Sequence, residues 1–275
     1  MSAGLLLLVP LGFVVGAFGT MIGAGGGFVL VPVLLLLFPD YGPERVTAIS
    51  LGMVWANATS GSIAYGRQGR IDYVTGLLFA ASSVPGVVGG ALLVHAVPER
   101  VFSALFAALL LGLAVITVRP APAAIQQPRS GRSLLVRTVT TREGVTYRYA
   151  YRAWQGVLLS VAVGFASSLF GIGGGVIHVP AMIALFRIPV QFAVATSHFI
   201  LAFMAGGATV VHLFDGSLRG ERLAQAAALS AGAIPGAQFG AWLAHRVRGR
   251  TVVLLLAVAL VLLAGRLFAR SAAGL

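Results

Sequence analysis

Two glycine phrases, with a scatter of hydroxyls, imidazoles and one amide, are the groups in this chain's apolar stretches that could do chemistry. The phrases are GAGGGFVLVP at residues 23–32 and GIGGGVIHVP at residues 171–180. Glycine admits positive φ and lets other backbone approach closely. A helix restarted after such a break presents unpaired N–H groups and the positive end of its dipole. Helix N-termini bind anions without a charged side chain. Gly23, Gly25, Gly26, Gly27 and Phe28, with Gly171, Gly173, Gly174, Gly175 and Val176, are therefore candidate substrate-binding positions. Tight helix packing through small residues competes with this reading, but packing motifs space glycines four apart, whereas these are consecutive. A dinucleotide fingerprint lacks its soluble strand–helix unit and following acidic residue.

Ser50, Asn57, Thr196 and Ser197 sit on otherwise apolar helices. They either donate hydrogen bonds to a bound anion or bridge helices. His178, three residues after the second GGG, and His198, beside Ser197, are candidates as intramembrane ionisable groups. They either titrate during proton coupling or serve as hydrogen-bonded structural histidines. Tyr65 and His212 align near the ends of matching helices and read as interfacial, while His95 and His245 fall at loop edges. Arg45 and Arg187 lie near the mouths of the short runs and read as snorkelling helix ends. All seven acidic residues (Asp40, Glu44, Asp72, Glu99, Glu143, Asp215 and Glu221) fall in expected loops. No paired carboxylates, metal-ligand cluster or nucleophile–base constellation lies within a span. The chain is not expected to be an enzyme, and no catalytic residue, metal or cofactor is expected.

The elements that must hold these groups are membrane helices. Of 275 residues, 58% are hydrophobic and 9% charged, with mean hydropathy +0.96. A soluble domain carries about a quarter charged residues, and long uncharged runs such as residues 1–39 read as spans. There is no basic stretch ahead of the first apolar run, so a cleavable signal peptide is not expected. The cysteine-free sequence carries no disulfide framework. The net charge of +12 comes from nineteen arginines and no lysine. Seven of them (Arg119, Arg129, Arg132, Arg137, Arg142, Arg148 and Arg152) cluster between two apolar halves, as in a cytoplasmic loop. Nucleic acid is not an expected partner.

The halves are copies. SVPGVVGGALLVHAVPER at residues 83–100 answers AIPGAQFGAWLAHRVRGR at 233–250, matching Pro85 to Pro235, Gly90 to Gly240 and His95 to His245. The expected fold is an all-α polytopic membrane protein of two homologous halves, residues 1–118 and 153–275. Internal repeats of this kind are common in transporters. Each half holds a short run after its glycine loop (28–38 and 176–186), too short for a bilayer core that needs about 20 helical residues. It reads as part of a broken or re-entrant helix. Residues 119–152 read as an Arg-rich linker with a Pro-rich start and a β-hairpin around TREG, expected to be a solvated cytoplasmic tether.

With the linker inside, residues 66–72 fall inside and 95–100 outside. The basic HRVRGR at 245–250 belongs inside, which puts 215–222 outside and Arg187 inside. Each half then has an odd number of elements and the halves are inverted, although Arg219 and Arg222 fall outside. A parallel arrangement of four plus four spans is the alternative.

The doubled GxGGGxxxxP phrase, each copy followed by A-x-S and later by PG and small residues, resembles the TauE/SafE family of sulfite and organosulfonate exporters. The resemblance covers nearly the whole chain. It implies export of a small sulfur-containing anion (sulfite, sulfoacetate or a related organosulfonate) across a bacterial plasma membrane, with the glycine loops forming the pathway. A passive anion channel, or a permease for another small anion, is the alternative. The expected partners are that anion and the lipid bilayer, with a homodimer left open.

Overall fold

The computed structural model describes residues 3–118, 134–140, 144, 146–247 and 249–272. The first half comprises α1 (Ala3–Ile22), α2 (Gly27–Leu37), α3 (Pro43–Arg67), α4 (Tyr73–Leu93), closed by a 3-10 turn at Val94–Ala96, and α5 (Glu99–Val118). The second repeats that order as α6 (Ala153–Phe170), α7 (Gly175–Ala184), α8 (Val190–Phe214), α9 (Glu221–Arg246) and α10 (Gly249–Ala272). Between them, β1 (Leu134–Thr140) and β2 (Thr146–Arg152) pair antiparallel, Leu134 opposite Arg152 and Thr140 opposite Thr146. The Pro-rich start of the linker lies outside the described residues, as does most of the TREG turn.

Among the described residues, five helical segments are long and apolar enough to cross a bilayer: Leu5–Ile22, Tyr73–Ala96, Glu99–Ile116, Ala153–Phe170 and Val190–Phe214. Five such segments in one chain are the pattern of a multi-pass membrane protein. Its lateral surface agrees, because Leu7, Val14, Leu92, Leu158 and Leu262 stand exposed on helix faces where only lipid is a favourable solvent.

The halves are interlocked rather than side by side. α1 packs along α9, α4 along α6, α3 along α8 and α9, and α5 along α10. Glycines four apart make these crossings close. The missing β-carbons of Gly232, Gly236 and Gly240 leave room for the carbonyls of Val9, Phe13 and Ala17. In the matching crossing, Gly86 and Gly90 admit the carbonyls of Val161 and Phe165. This is the packing use of glycine that membrane helices need, since lipid supplies no hydrophobic drive between them.

The two ends of the bundle differ. At one end, Glu44 beside the start of α3 meets His95 after α4 and Ser217 after α8, and Tyr41 meets Gln225 of α9. At the other, Arg70 after α3 touches His245 of α9, and Tyr147 of β2 stacks edge-on against Phe192 near the start of α8. So α3 runs toward the hairpin end and α8 away from it.

The hairpin is docked on the helices, which corrects the expectation of a solvated tether. Tyr149 and Tyr151 are buried, and Tyr151 packs against Phe79 and Phe186. Arg137 of β1 reaches Asp72, the N-cap of α4, with Nη2 at 2.8 Å from Oδ1. Tyr149 donates its hydroxyl to Asp72 Oδ2 at 2.6 Å, and Tyr151 donates to Thr75 Oγ1 at 2.9 Å. Period-two alternation puts Arg137 and Tyr149 on the same face of the paired strands.

Candidate functional site

The glycine phrases form two loops of identical backbone pattern. Gly23, Gly25 and Gly26 hold φ of +78°, +73° and +87°, and Gly171, Gly173 and Gly174 hold +69°, +78° and +89°. That is the left-handed region, which side chains oppose, so the first, third and fourth letters of GxGGG are set by torsion. The fifth letter is set by space. A β-carbon on Gly27 would strike the carbonyl oxygen of Gly171, and one on Gly175 the carbonyl oxygen of Gly23. Each short helix therefore begins against the loop of the other half.

Gly26 and Gly174 are the N-caps of α2 and α7. The first ladder bonds run from Val29 and Leu30 to Gly26 O, at 3.1 and 3.0 Å, and from Ile177 and His178 to Gly174 O, at 3.1 and 2.9 Å. The N–H groups of Gly27 and Phe28, and of Gly175 and Val176, precede those ladders and have no intrahelical acceptor. Two positive helix ends thus converge inside the helix bundle among wholly buried residues.

Ser50 and Ser197, equivalent positions of α3 and α8, hold the crossing reciprocally. Ser50 donates Oγ–H to Gly171 O at 2.7 Å, and Ser197 donates to Gly23 O at 3.2 Å. Val54 and Leu201 fill the centre, each lying against both Gly25 and Gly173. Ser50→Ala and Ser197→Ala should each lower stability by about 1–3 kcal/mol, because each strands a buried carbonyl. Thermal unfolding in detergent measures this, and a wild-type midpoint in both variants would deny the staples any structural weight.

The first loop has a polar support that the second lacks. Asn57 donates Nδ2–H to Gly25 O at 3.1 Å and accepts from Thr20 Oγ1 at 3.2 Å. His198 Nε2 lies 3.2 Å from the same Thr20 oxygen, and Tyr65 donates to Thr20 O at 2.7 Å. With the Thr20 proton committed to Asn57, His198 Nε2–H is the donor to Thr20 Oγ1, and Nδ1 has no partner in good geometry among the described residues. Around the second loop, Met204 lies against Gly174, and the hydroxyls of Ser167 and Ser168 find no partner among the described residues.

The structure thus brings Gly23, Gly25, Gly26, Gly27, Phe28, Ser50, Asn57, Gly171, Gly173, Gly174, Gly175, Val176, Ser197 and His198 to one crossing. Asn57 and the two serines direct their donors to loop carbonyls rather than to an open anion pocket. Two residues are turned elsewhere. His178 Nε2 lies 3.3 Å from Ser160 Oγ of α6 and its ring stacks on Phe79 of α4. Thr196 Oγ1 accepts the Asp72 N–H at 2.9 Å, toward the hairpin. Tyr65, expected at an interface, is fully buried under the first loop. Thr20, the centre of the polar support, escaped the sequence reading.

A cavity of about 280 Å³ lies toward the hairpin end, lined by Met21, Tyr65, Arg70, Tyr147, Val194 and His245. Val194 also lies against Gly23, so the cavity floor touches the first glycine loop.

A family model described as "Sulfite exporter TauE/SafE" matches residues 8–267. The chain is similar to a protein named "Probable membrane transporter protein YunE" from Bacillus subtilis, with 33% identity over 265 residues, 94% of this chain and 95% of that one. It is also similar to a probable membrane transporter protein of Methanocaldococcus jannaschii, with 28% identity over 217 residues covering 76% and 73% of the two chains. Another, from Haemophilus influenzae, is 26% identical over 223 residues, 79% and 77% of the two. No solved structure matches the chain.

Proposed function

The chain belongs to the TauE/SafE family of membrane transporters, and from that membership we propose that it exports a small sulfur-containing anion by alternating access around its two glycine loops. The observation that carries the proposal is the crossing itself: two helix N-termini meet inside the bundle, each seated on the other half's loop, and no arginine stands among the described residues brought to it. Backbone N–H groups and helix dipoles suit a sulfite or sulfonate group, which offers several oxygens to several donors. They also leave the site neutral when empty, so it need not drag a counter-ion across the bilayer.

In this reading the halves are inverted repeats, which is supported by α3 and α8 running in opposite directions between the bundle ends. Rocking of the halves would then exchange an opening on one side for its equivalent on the other. The cavity at the hairpin end is the open side, with Arg70 at its mouth to draw anions in. Val54 and Leu201 close the centre. Placing the Arg-rich hairpin in the cytoplasm of a bacterial plasma membrane follows the positive-inside rule, and makes the open side the loading side of an exporter.

Purified protein challenged with sulfite, sulfoacetate, taurine and a mercapto-sulfonate, against sulfate, phosphate and chloride, gives the first test. A true ligand at 100-fold its dissociation constant adds about 2.7 kcal/mol of apparent stability, and should then drive its own flux from proteoliposomes. Stabilisation by sulfate, phosphate or chloride to the same degree as by any sulfonate would end the substrate assignment.

A further inference from the structure

The end of the bundle away from the hairpin holds a cluster that the transport site does not use. His95, in the 3-10 turn after α4, places Nε2 at 3.1 Å from Asp215 Oδ2. His212, in the last turn of α8, places Nδ1 at 3.3 Å from the same oxygen. One ligand atom from each of the three residues can be chosen so that all lie within 4.8 Å of one another. Two of these separations match the edge of a tetrahedron around zinc, about 3.3 Å for bonds of about 2.0–2.1 Å.

We propose that His95, His212 and Asp215 bind one divalent transition-metal ion of the zinc class, open to solvent at its fourth position. Three features support the assignment independently. First, His212 is wholly buried, yet neither ring nitrogen makes a hydrogen bond among the described residues, its approach to Asp215 lacking the required geometry. A buried imidazole whose Nδ1 faces a carboxylate oxygen without a well-formed hydrogen bond calls for an explanation; a metal on Nδ1 provides one, while Nε2 stays without a partner among the described residues. An imidazolium at His95, bridging both carboxylates, would satisfy His95 but leave His212 as it is.

Second, the surrounding contacts are those that orient metal ligands. Glu44 Oε2 lies 3.1 Å from His95 Nδ1, where it accepts that N–H and turns Nε2 toward the ion. Carboxylate–histidine pairs of this sort fix the tautomer and raise ligand basicity. Asp215 Oδ1 is held by the Ser217 N–H at 2.7 Å, leaving Oδ2 for the metal, while Ser217 Oγ–H is donated to Glu44 Oε1 at 2.8 Å. Third, the site is reachable, with the His95 and Asp215 side chains 33% and 18% exposed. Two imidazoles and a single carboxylate favour zinc, cobalt or nickel over magnesium and calcium, which prefer all-oxygen shells.

The location gives the ion something to do. His95 corresponds in the repeat to His245, and His212 to Tyr65, two residues that line the cavity at the hairpin end. The metal cluster therefore stands where the matching cavity would open on the opposite side. Its ligands come from both halves, so an ion there ties the end of α4 to the end of α8 and holds that side closed.

The test is cobalt titration of metal-stripped, tag-free, full-length protein in detergent. The expected result is one Co2+ per chain, with the visible bands of a four-coordinate site, displaced by Zn2+ and unaffected by excess Mg2+. His95→Gln and Asp215→Asn should weaken binding at least 10-fold, and Glu44→Gln about 10-fold through its outer contact. Both His95 and Asp215 are partly exposed, so these variants separate ligand loss from the misfolding that His212→Ala could cause. Absence of a saturable four-coordinate spectrum, equal competition by Mg2+, or unchanged affinity in both His95→Gln and Asp215→Asn would each overturn the site. None of these readouts depends on which anion is transported.

Discussion

Gly175→Ala should abolish transport while leaving protein in the membrane. The added methyl group would occupy the space of the Gly23 carbonyl oxygen and crowd Ala24. Backbone cannot swing aside as a side-chain tip can, so one of the two loops must move. Gly27→Ala repeats the experiment on the other half, against Gly171. Gly25→Val and Gly174→Val add a torsional penalty, because both positions hold positive φ. A β-branched residue in the left-handed region loses roughly 1–2 kcal/mol, and overpacking adds about 1–3 kcal/mol. A penalty of about 3 kcal/mol leaves the competent loop arrangement at around 1% of molecules, and flux should fall accordingly. Gly112→Ala is the matched control, since a β-carbon there meets nothing within 4 Å and only improves helix propensity. The measurement is flux from proteoliposomes, normalised to monodisperse protein. Wild-type flux in Gly25→Val and Gly174→Val together would remove the loops from the pathway.

Why the sequence displayed these loops but not their supports is a matter of physics. Six left-handed positions and two close backbone approaches can be met only by glycine, so the pattern had to appear in the letters, twice. Ser50 and Ser197 were legible as polar residues in apolar helices. That each would staple the opposite half was not, because the contact depends on interlocking of α1 with α9 and α4 with α6. Thr20 was hidden for a related reason: threonine at the end of a helix is ordinary, and its role comes from three partners on two other helices. His178 shows the reverse case. Its place after the second GGG suggested the site, but the helix turns its ring away, onto Phe79 and Ser160. The hairpin was readable from its β-branched and aromatic residues, but not its docking, since Arg137 and Tyr149 find Asp72 only in three dimensions. Asp72 itself read as a loop carboxylate.

Replacing that carboxylate should release the hairpin. In Asp72→Ala, Arg137 loses a partner that receives both Nε and Nη2, Tyr149 loses its 2.6 Å acceptor, and α4 loses its cap. The Asp72 side chain is 1% exposed but that of Arg137 is 24% exposed, so the full range of about 3–5 kcal/mol for breaking a buried pair is too large. Screening at the arginine brings it to about 2–3 kcal/mol with the cap included. That corresponds to a fall of roughly 5–10 °C in the unfolding midpoint. Acid should mimic the substitution. Burial acts to raise the Asp72 carboxyl, but hydrogen bonds from Arg137, Thr75 and Tyr149 outweigh it and hold the group below its ordinary range. A depressed carboxylate contributes its full stability above its unfolded value near 3.9 and loses it as pH falls through the lower folded value. Alkali should attack the same contact from the other side. Burial raises Tyr149, with its bond to Asp72 adding to the effect, and pushes Tyr151 up to about 12. Both phenols contribute their full stability to docking below their unfolded value of about 10 and lose it as pH rises through their higher folded values. The hairpin should thus be held most tightly between about pH 4 and pH 10, weaken progressively outside that window, and detach only as the pH passes the shifted folded values. Trp154, in the first turn of α6 directly after β2, reports the change by fluorescence once Trp55 and Trp242 are replaced by Phe. In Asp72→Ala the acid transition should vanish, because the group that titrates is gone. An acid transition of wild-type size and midpoint in that variant would show that some other carboxylate holds the hairpin to the membrane domain.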